Sequence, residues 1–306
     1  SSGAMKTGWV KDQETWYYLD KDGIMLTGSQ DINGVRYYLN ASGAMQTGWA
    51  FVDGHWNYFA SSGAMKTGWV KDQETWYYLD KDGIMLTGSQ DINGVRYYLN
   101  ASGAMQTGWA FVDGHWNYFA SSGAMKTGWL KDSDAWYYFE GKEGVMLVGL
   151  HQVDGKQYYF SGSGAMQTGW KWFDNHYRYF ESNGAMKTGW IKDKGVWYYL
   201  NPEDGIMLVG LHKVNGDHYY FDESGAMQTG WKQLDGNWYY FQADGSLLKN
   251  ATTPDGYKVN EEGIWKISQT TVAVEQDKKE QITETSTSAE NSSHVEDNSS
   301  HHMIEE

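Results

Sequence analysis

Short runs of aromatic and β-branched residues recur along this chain, each pair of runs separated by a polar, glycine-bearing break. Ile32-Asn33-Gly34-Val35 and Val52-Asp53-Gly54-His55 are two such breaks. Asn-Gly and Asp-Gly hold positive φ readily, as the twist-matched two-residue turn demands, so each pair of runs is expected to form a β-hairpin. Along a run the side chains alternate between faces. Trp16 and Tyr18 therefore share one face and Tyr17 takes the other.

The hairpins come at a fixed period. A Gly-x-Met signature marks Gly23, Gly43, Gly63, Gly83, Gly103, Gly123, Gly144, Gly164, Gly184, Gly205 and Gly225, spaced by 20 or 21 residues, with Gly3 before them and Gly245-Ser246-Leu247 closing the series. One hairpin of this length is marginal in water. The period thus predicts a solenoid in which each hairpin is stabilised by its neighbours and the chain ends need caps.

A longer period lies over the short one. Residues 1–60 and 61–120 are identical, and 121–243 repeat the scheme with divergence. Each block holds three hairpins, of which the first and third carry Gly-Trp followed seven residues later by a second Trp, as in Trp9 with Trp16 and Trp49 with Trp56. The middle hairpin has Ser29 and Arg36, Ser89 and Arg96, Leu150 and Gln157, or Leu211 and His218 instead. With about three hairpins to a superhelical turn, the missing pairs fall on one side, as a lengthwise stripe without Trp.

Composition narrows the function. The 37 Gly, 2 Pro, 17 Trp and 23 Tyr suit many short strands joined by Gly turns, and the absence of Cys excludes disulfides and thiolate metal sites. A net charge of -15 argues against nucleic acid as a partner. Much of that charge is local, since Glu261 to Glu306 holds 11 acidic and 3 basic residues. No apolar run is long enough to span a membrane and no signal peptide is seen; Ser1 starts inside a repeat, as in a mature or trimmed form. Residues 267–306, rich in Ser, Thr, Glu and Gln, read as a flexible acidic tail, with Ile267, Val272 and Val274 as candidate anchors.

The segment Gly63-Ala64-Met65-Lys66-Thr67-Gly68-Trp69-Val70-Lys71-Asp72, followed by Trp76-Tyr77-Tyr78-Leu79, resembles the choline-binding repeats of pneumococcal surface proteins and autolysins. The resemblance covers about residues 1–248, and Asp255-Gly256-Tyr257-Lys258-Val259-Asn260 to Trp265 resembles the closing hairpin of that family. It implies three regions: a repeat solenoid over 1–248, a closing hairpin or cap over 249–266 and the tail over 267–306. It also implies an all-β, left-handed solenoid of β-hairpins, secreted and held at the cell surface or wall, with no enzymatic activity. In the family, two Trp of one repeat and a Tyr of the next enclose a choline headgroup. The implied partners are choline or phosphocholine of teichoic and lipoteichoic acids, with peptidoglycan and cell-wall hydrolases as further candidates.

Chemistry supports such a ligand independently. A quaternary ammonium carries full charge but no N–H donor, so polar side chains cannot grip it and aromatic faces can. Each cation–π contact contributes about 0.5–2 kcal/mol, and the walls also bury the methyl groups. Alternation assigns the second Tyr of each pair to the ligand face and the first to packing. Six complete cages follow: Trp9, Trp16 and Tyr38; Trp49, Trp56 and Tyr78; Trp69, Trp76 and Tyr98; Trp109, Trp116 and Tyr138; Trp129, Trp136 and Tyr159; Trp190, Trp197 and Tyr220. Two sets are incomplete. Trp170 has Tyr177 where the second Trp belongs, with Trp172 nearby and Tyr199 as third wall, while Trp231 and Trp238 can take a third wall only from the closing hairpin.

Other readings compete. The Trp residues could be interior packing of a thin rod, although packing residues should not vanish pairwise from every middle hairpin while the fold continues. Met25 and Met45 read as core filler, with a neighbouring Met able to close a cage. Asp20, Asp22 and Asp72 recur at turn positions and read as turn formers; a catalytic pair is normally unique, so no catalytic residue, cofactor or metal is assigned. His151 and His212 occupy equivalent Trp-less positions, which favours a repeated surface role. The alternative function is a glucan-binding rod, because related Gly-Trp and Tyr-Tyr repeats stack on sugars.

Overall fold

The computed structural model describes residues 5–265, and every regular element among them is a β-strand. The tail expected over 267–306 lies outside the described residues. Twelve hairpins follow one another, the first three being Gly8–Asp12 with Thr15–Leu19, Gly28–Ile32 with Val35–Leu39, and Gly48–Val52 with His55–Phe59. The last is Gly230–Leu234 with Asn237–Phe241. This is the all-β hairpin solenoid that the repeats imply.

One register serves throughout. The opening Gly faces the closing Leu or Phe, as Gly28 faces Leu39, and the next residues in face the second Tyr, as Trp9 faces Tyr18 and Ser29 faces Tyr38. The first and seventh turns have one residue each with positive φ, Gln13 and Ser133, while two such residues close the other hairpins, Asn33 at 51° and Gly34 at 77° in one case. Gln73 at 45° and Glu74 at 69° do the same without glycine, so the strand pairing imposes the turn where the residues do not favour it.

Two compact units divide the described hairpins, the first running to Thr168 and taking in 182–185, the second made of 169–181 and the residues from Met186 onward. Each has the same core. The closing residues of the hairpins, among them Leu39, Leu79, Phe119 and Phe160 in the first unit and Phe180, Leu200 and Phe221 in the second, are almost wholly buried. Burying one such side chain stabilises by about 1.5–3 kcal/mol. Each also bridges to the Met that follows, as Leu39 does to Met45.

The Gly-x-Met signature now has a cause. The Met45 side chain lies over Gly63 of the following repeat, where an added Cβ would stand 2.2 Å from its sulfur, and Gly63 itself has φ +82°. Only glycine meets both conditions. Meanwhile the Met45 N–H donates to the Trp16 carbonyl of the preceding hairpin at 2.8 Å, and Met65 donates to Arg36 at the same distance. Hairpins are therefore stitched backbone to backbone. In the second unit the series ends where Ile264–Trp265 pairs with the last hairpin, setting Trp238 opposite Trp265.

Candidate functional site

Register places the two Trp of a hairpin diagonally on one face, the first opposite the second Tyr and the second opposite Lys11 in the first hairpin or Phe51 in the third. In the first hairpin of each block the rings meet as a right-angled corner, not a stack. Trp9 and Trp16 have centroids 6.5 Å apart at 90°, Trp69 and Trp76 6.3 Å at 90°, Trp129 and Trp136 6.2 Å at 86°, and Trp190 and Trp197 6.1 Å at 88°. The first Trp of each pair is half-buried, held by neighbouring rings. The second stands out, Trp56 being 46% exposed and Trp116 47%.

The ring that closes each corner is the first tyrosine of the following pair, not the second. Tyr37 lies 4.8 Å from Trp9, Tyr77 4.7 Å from Trp49, Tyr97 4.9 Å from Trp69 and Tyr137 4.7 Å from Trp109. Tyr158 and Tyr219 stand 4.9 Å from Trp129 and Trp190. Of the tyrosines expected there, Tyr38, Tyr98 and Tyr220 pack on the buried Phe59, Phe119 and Phe241. Tyr78 and Tyr138 flank Trp69 and Trp129 of their own hairpins at 5.1 Å, and Tyr159 sits opposite Leu150. Alternation separates the two Tyr correctly. Which face of the next hairpin turns toward the Trp is set by the connection, and strand periodicity carries no information about that.

The corners are open hollows. Trp69, Trp76, Tyr97 and Met105 line one of about 310 Å³ with Ser121 and Ser122 at its edge, and Trp109, Trp116, Tyr137 and Met146 line one of about 320 Å³. The methionines thus serve twice, as filler over glycine and as a wall. At Trp170, Tyr177 takes the second indole's place at 6.4 Å and 88°, Tyr198 closes in at 5.0 Å in place of Tyr199, and Trp172 packs against Tyr177 at 4.7 Å with the rings tilted by 56°. Around Trp231 and Trp238 the further walls come from the closing segment, Tyr257 and Trp265, in a hollow of about 370 Å³ that also includes Asp255.

Sequence reasoning missed a set of carboxylates. The indole N–H of Trp49 donates to Asp72 at 3.1 Å, Trp109 to Asp132 at 2.8 Å, Trp170 to Asp193 at 3.1 Å and Trp231 to Asp255 at 2.8 Å. Asp72, read above as a turn former, instead ends a strand and faces the preceding hairpin's Trp. Asp20 does form its turn, accepting from the backbone N–H of Asp22 and Ile24. The signal for the first group was present: at the strand end where Asp72 stands, hairpins two, five, eight and eleven have Ile32, Ile92, Val153 and Val214. Donors from Thr253 and Trp231 hold the Asp255 carboxyl below its ordinary value.

The first two Trp-less hairpins put polar groups in the same place. Ser29, Arg36 and Asn57 replace Trp, Trp and Tyr around a hollow of about 180 Å³, and Ser89, Arg96 and Asn117 line its counterpart of about 210 Å³. Arg36 forks onto Asp31 at 3.0 and 3.1 Å. His151 and His212 donate to the Val148 and Val209 carbonyls at 2.8 Å, and among the described residues no group of three or more His, Cys, Asp or Glu is placed to hold a metal. Among the described residues no helix is long and apolar enough to cross a membrane.

A choline-binding repeat model matches residues 26–67, 46–87, 66–106, 86–127, 106–149, 167–210 and 208–252, and a putative cell wall binding repeat model matches 7–25 and 149–166. A search among curated proteins finds no match. Among solved structures, CbpJ from Streptococcus pneumoniae TIGR4 is 32% identical, with 78% of this chain and 99% of that one covered and a TM-score of 0.57. Choline binding protein F from Streptococcus pneumoniae is 31% identical, over 87% of this chain and 100% of its own, at a TM-score of 0.53. A CbpF structure in complex with ipratropium, obtained by soaking, matches at 29% identity over 87% and 100%, with a TM-score of 0.51. Matched by repeat models almost without interruption from residue 7 to residue 252, the chain belongs to the choline-binding repeat family.

Proposed function

We propose that the indole corners are choline sites, and that through them the chain attaches without covalent linkage to the choline of cell-wall teichoic and lipoteichoic acids. The observation that carries this reading is the corner itself. Two indoles at right angles and a tyrosine from the next hairpin offer three π faces, which suits a methylated ammonium. Ipratropium, found in the related CbpF structure, is itself a quaternary ammonium compound. Each site is weak alone. Several on one chain facing a polymer that displays choline many times make later engagements intramolecular, which raises overall binding by roughly 10² or more when the spacing fits.

The role is attachment at the cell surface, with no catalytic step assigned. Occupying wall choline also sets the chain in competition with hydrolases that carry like repeats; unchanged hydrolase activity in excess purified protein would count against that part. Chromatography tests the core of the reading. The full chain should be retained on a choline-substituted resin and released by free choline but not by dextran. Release by dextran, with free choline inert, would favour the glucan-binding alternative instead.

A further inference from the structure

Not all the indole corners are electrostatically alike. At the third hairpin of each block the first indole donates to a carboxylate, Asp72, Asp132, Asp193 or Asp255. At the first hairpin of each block, built on Trp9, Trp69, Trp129 and Trp190, the same place is filled by Ile32, Ile92, Val153 or Val214, all buried. The residue opposite the second indole or its substitute differs too. It is Phe51, Phe111, Trp172 or Gln233 in the carboxylate class, and Lys11, Lys71, Lys131 or Lys192 in the other. Lys192 Nζ already lies 5.6 Å from the Trp197 ring centroid, while Lys11 and Lys71 reach Glu14 and Glu74 in exposed pairs. One class therefore ties its first indole to a carboxylate and has no lysine opposite the second aromatic; the other has a lysine opposite the second indole and an apolar residue where the carboxylate would stand.

We propose that these are two functional classes of ammonium site, and that the carboxylate-linked corners at Trp49, Trp109, Trp170 and Trp231 are the tighter and more charge-selective ones. The inference rests on the choline reading above. Two effects act in the same direction. A carboxylate accepting from the indole N–H pushes electron density into the ring and fixes its plane, which strengthens its attraction for a cation. The carboxylate also attracts the ammonium directly, through a half-buried environment at Asp72, Asp132 and Asp193 that salt screens incompletely. For charges this close to solvent the combined advantage is about 3- to 10-fold per site.

Calorimetry on the full chain tests it, with choline and its neutral carbon isostere 3,3-dimethylbutan-1-ol as probes. Choline should fill a tighter and a weaker set, and the double substitution Asp72→Asn, Asp132→Asn should move two sites from the first set to the second while leaving isostere binding unchanged. Asparagine keeps an acceptor for the indole, so the charge alone is removed. Glutamate at both positions should retain the tight set, which keeps the test valid should the Asn variant unfold at lower temperature. An unaltered choline isotherm in the Asn variant, or equal losses for choline and isostere, would overturn the two-class proposal while leaving the choline sites standing. No choline binding by the unmutated chain would overturn the choline reading and this inference with it.

Discussion

The hairpin Gly8–Leu19 and its successor Gly28–Leu39 pair their strands in the same register and close on a two-residue loop, yet one carries an indole corner and the other a polar notch. The Met N–H that ties each to the next repeat donates to Trp16 in one case and Arg36 in the other at 2.8 Å. That bond ignores the side chain at the acceptor. Trp, Arg and Tyr177 all accept from a Met N–H there, His218 accepts from Leu247 in the same way, and the stacking continues through each. The fold is thus held by a shared backbone stitch, the buried Leu or Phe and the Met over Gly, while the outward faces are free to carry chemistry. Tryptophan belongs to the second group.

The largest test strikes the shared part. Leu79→Ala, beside an indole corner, and Leu99→Ala, beside a polar notch, should each cost about 2–5 kcal/mol in urea denaturation, because both side chains are fully buried. Clearly unequal losses would break the equivalence of the two hairpin types. Next come the glycines. Gly54→Ala, with φ +86° and open space around it, should cost about 1–2 kcal/mol for backbone conformation alone, whereas Gly63→Ala must also displace Met45 and should cost about 1–3 kcal/mol more.

The faces should behave oppositely. Trp56→Ala should change stability by about 1 kcal/mol or less, given how far the indole stands out, but should remove one equivalent of bound choline in calorimetry. The converse graft, Ser29→Trp with Arg36→Trp and Asn57→Tyr, should add one equivalent, since the notch already has the backbone of a corner. The smallest effect belongs to the pair that replaces the indoles. The Arg36 hydrogen bond holds the Asp31 carboxyl below its ordinary value, so what the pair contributes is present above pH of about 4 and is lost as pH falls through the lowered folded value. Both groups are exposed, so acid titration of Arg36→Gln should differ little from that of the unmutated chain.

Fold and indole positions were legible because their signals are local. Asn33-Gly34 announces a turn, and Gly63 with Met65 announces the stitch by its period. The choice between Tyr37 and Tyr38 was not legible, because it depends on the rotation between successive hairpins, which no pattern within one strand encodes. Asp72 escaped for a related reason. Beside a turn an aspartate normally serves the turn, as Asp20 does, and only the neighbouring hairpin reveals that its carboxylate meets Trp49.

Crystals of the full chain grown in choline give the most direct test of the central claim, that π walls contributed by adjacent hairpins recognise the ammonium. The trimethylammonium group should lie among Trp69, Trp76 and Tyr97 and be missing from the notch of Ser29, Arg36 and Asn57. Choline seated in the notch, with the indole corner empty, would contradict the account.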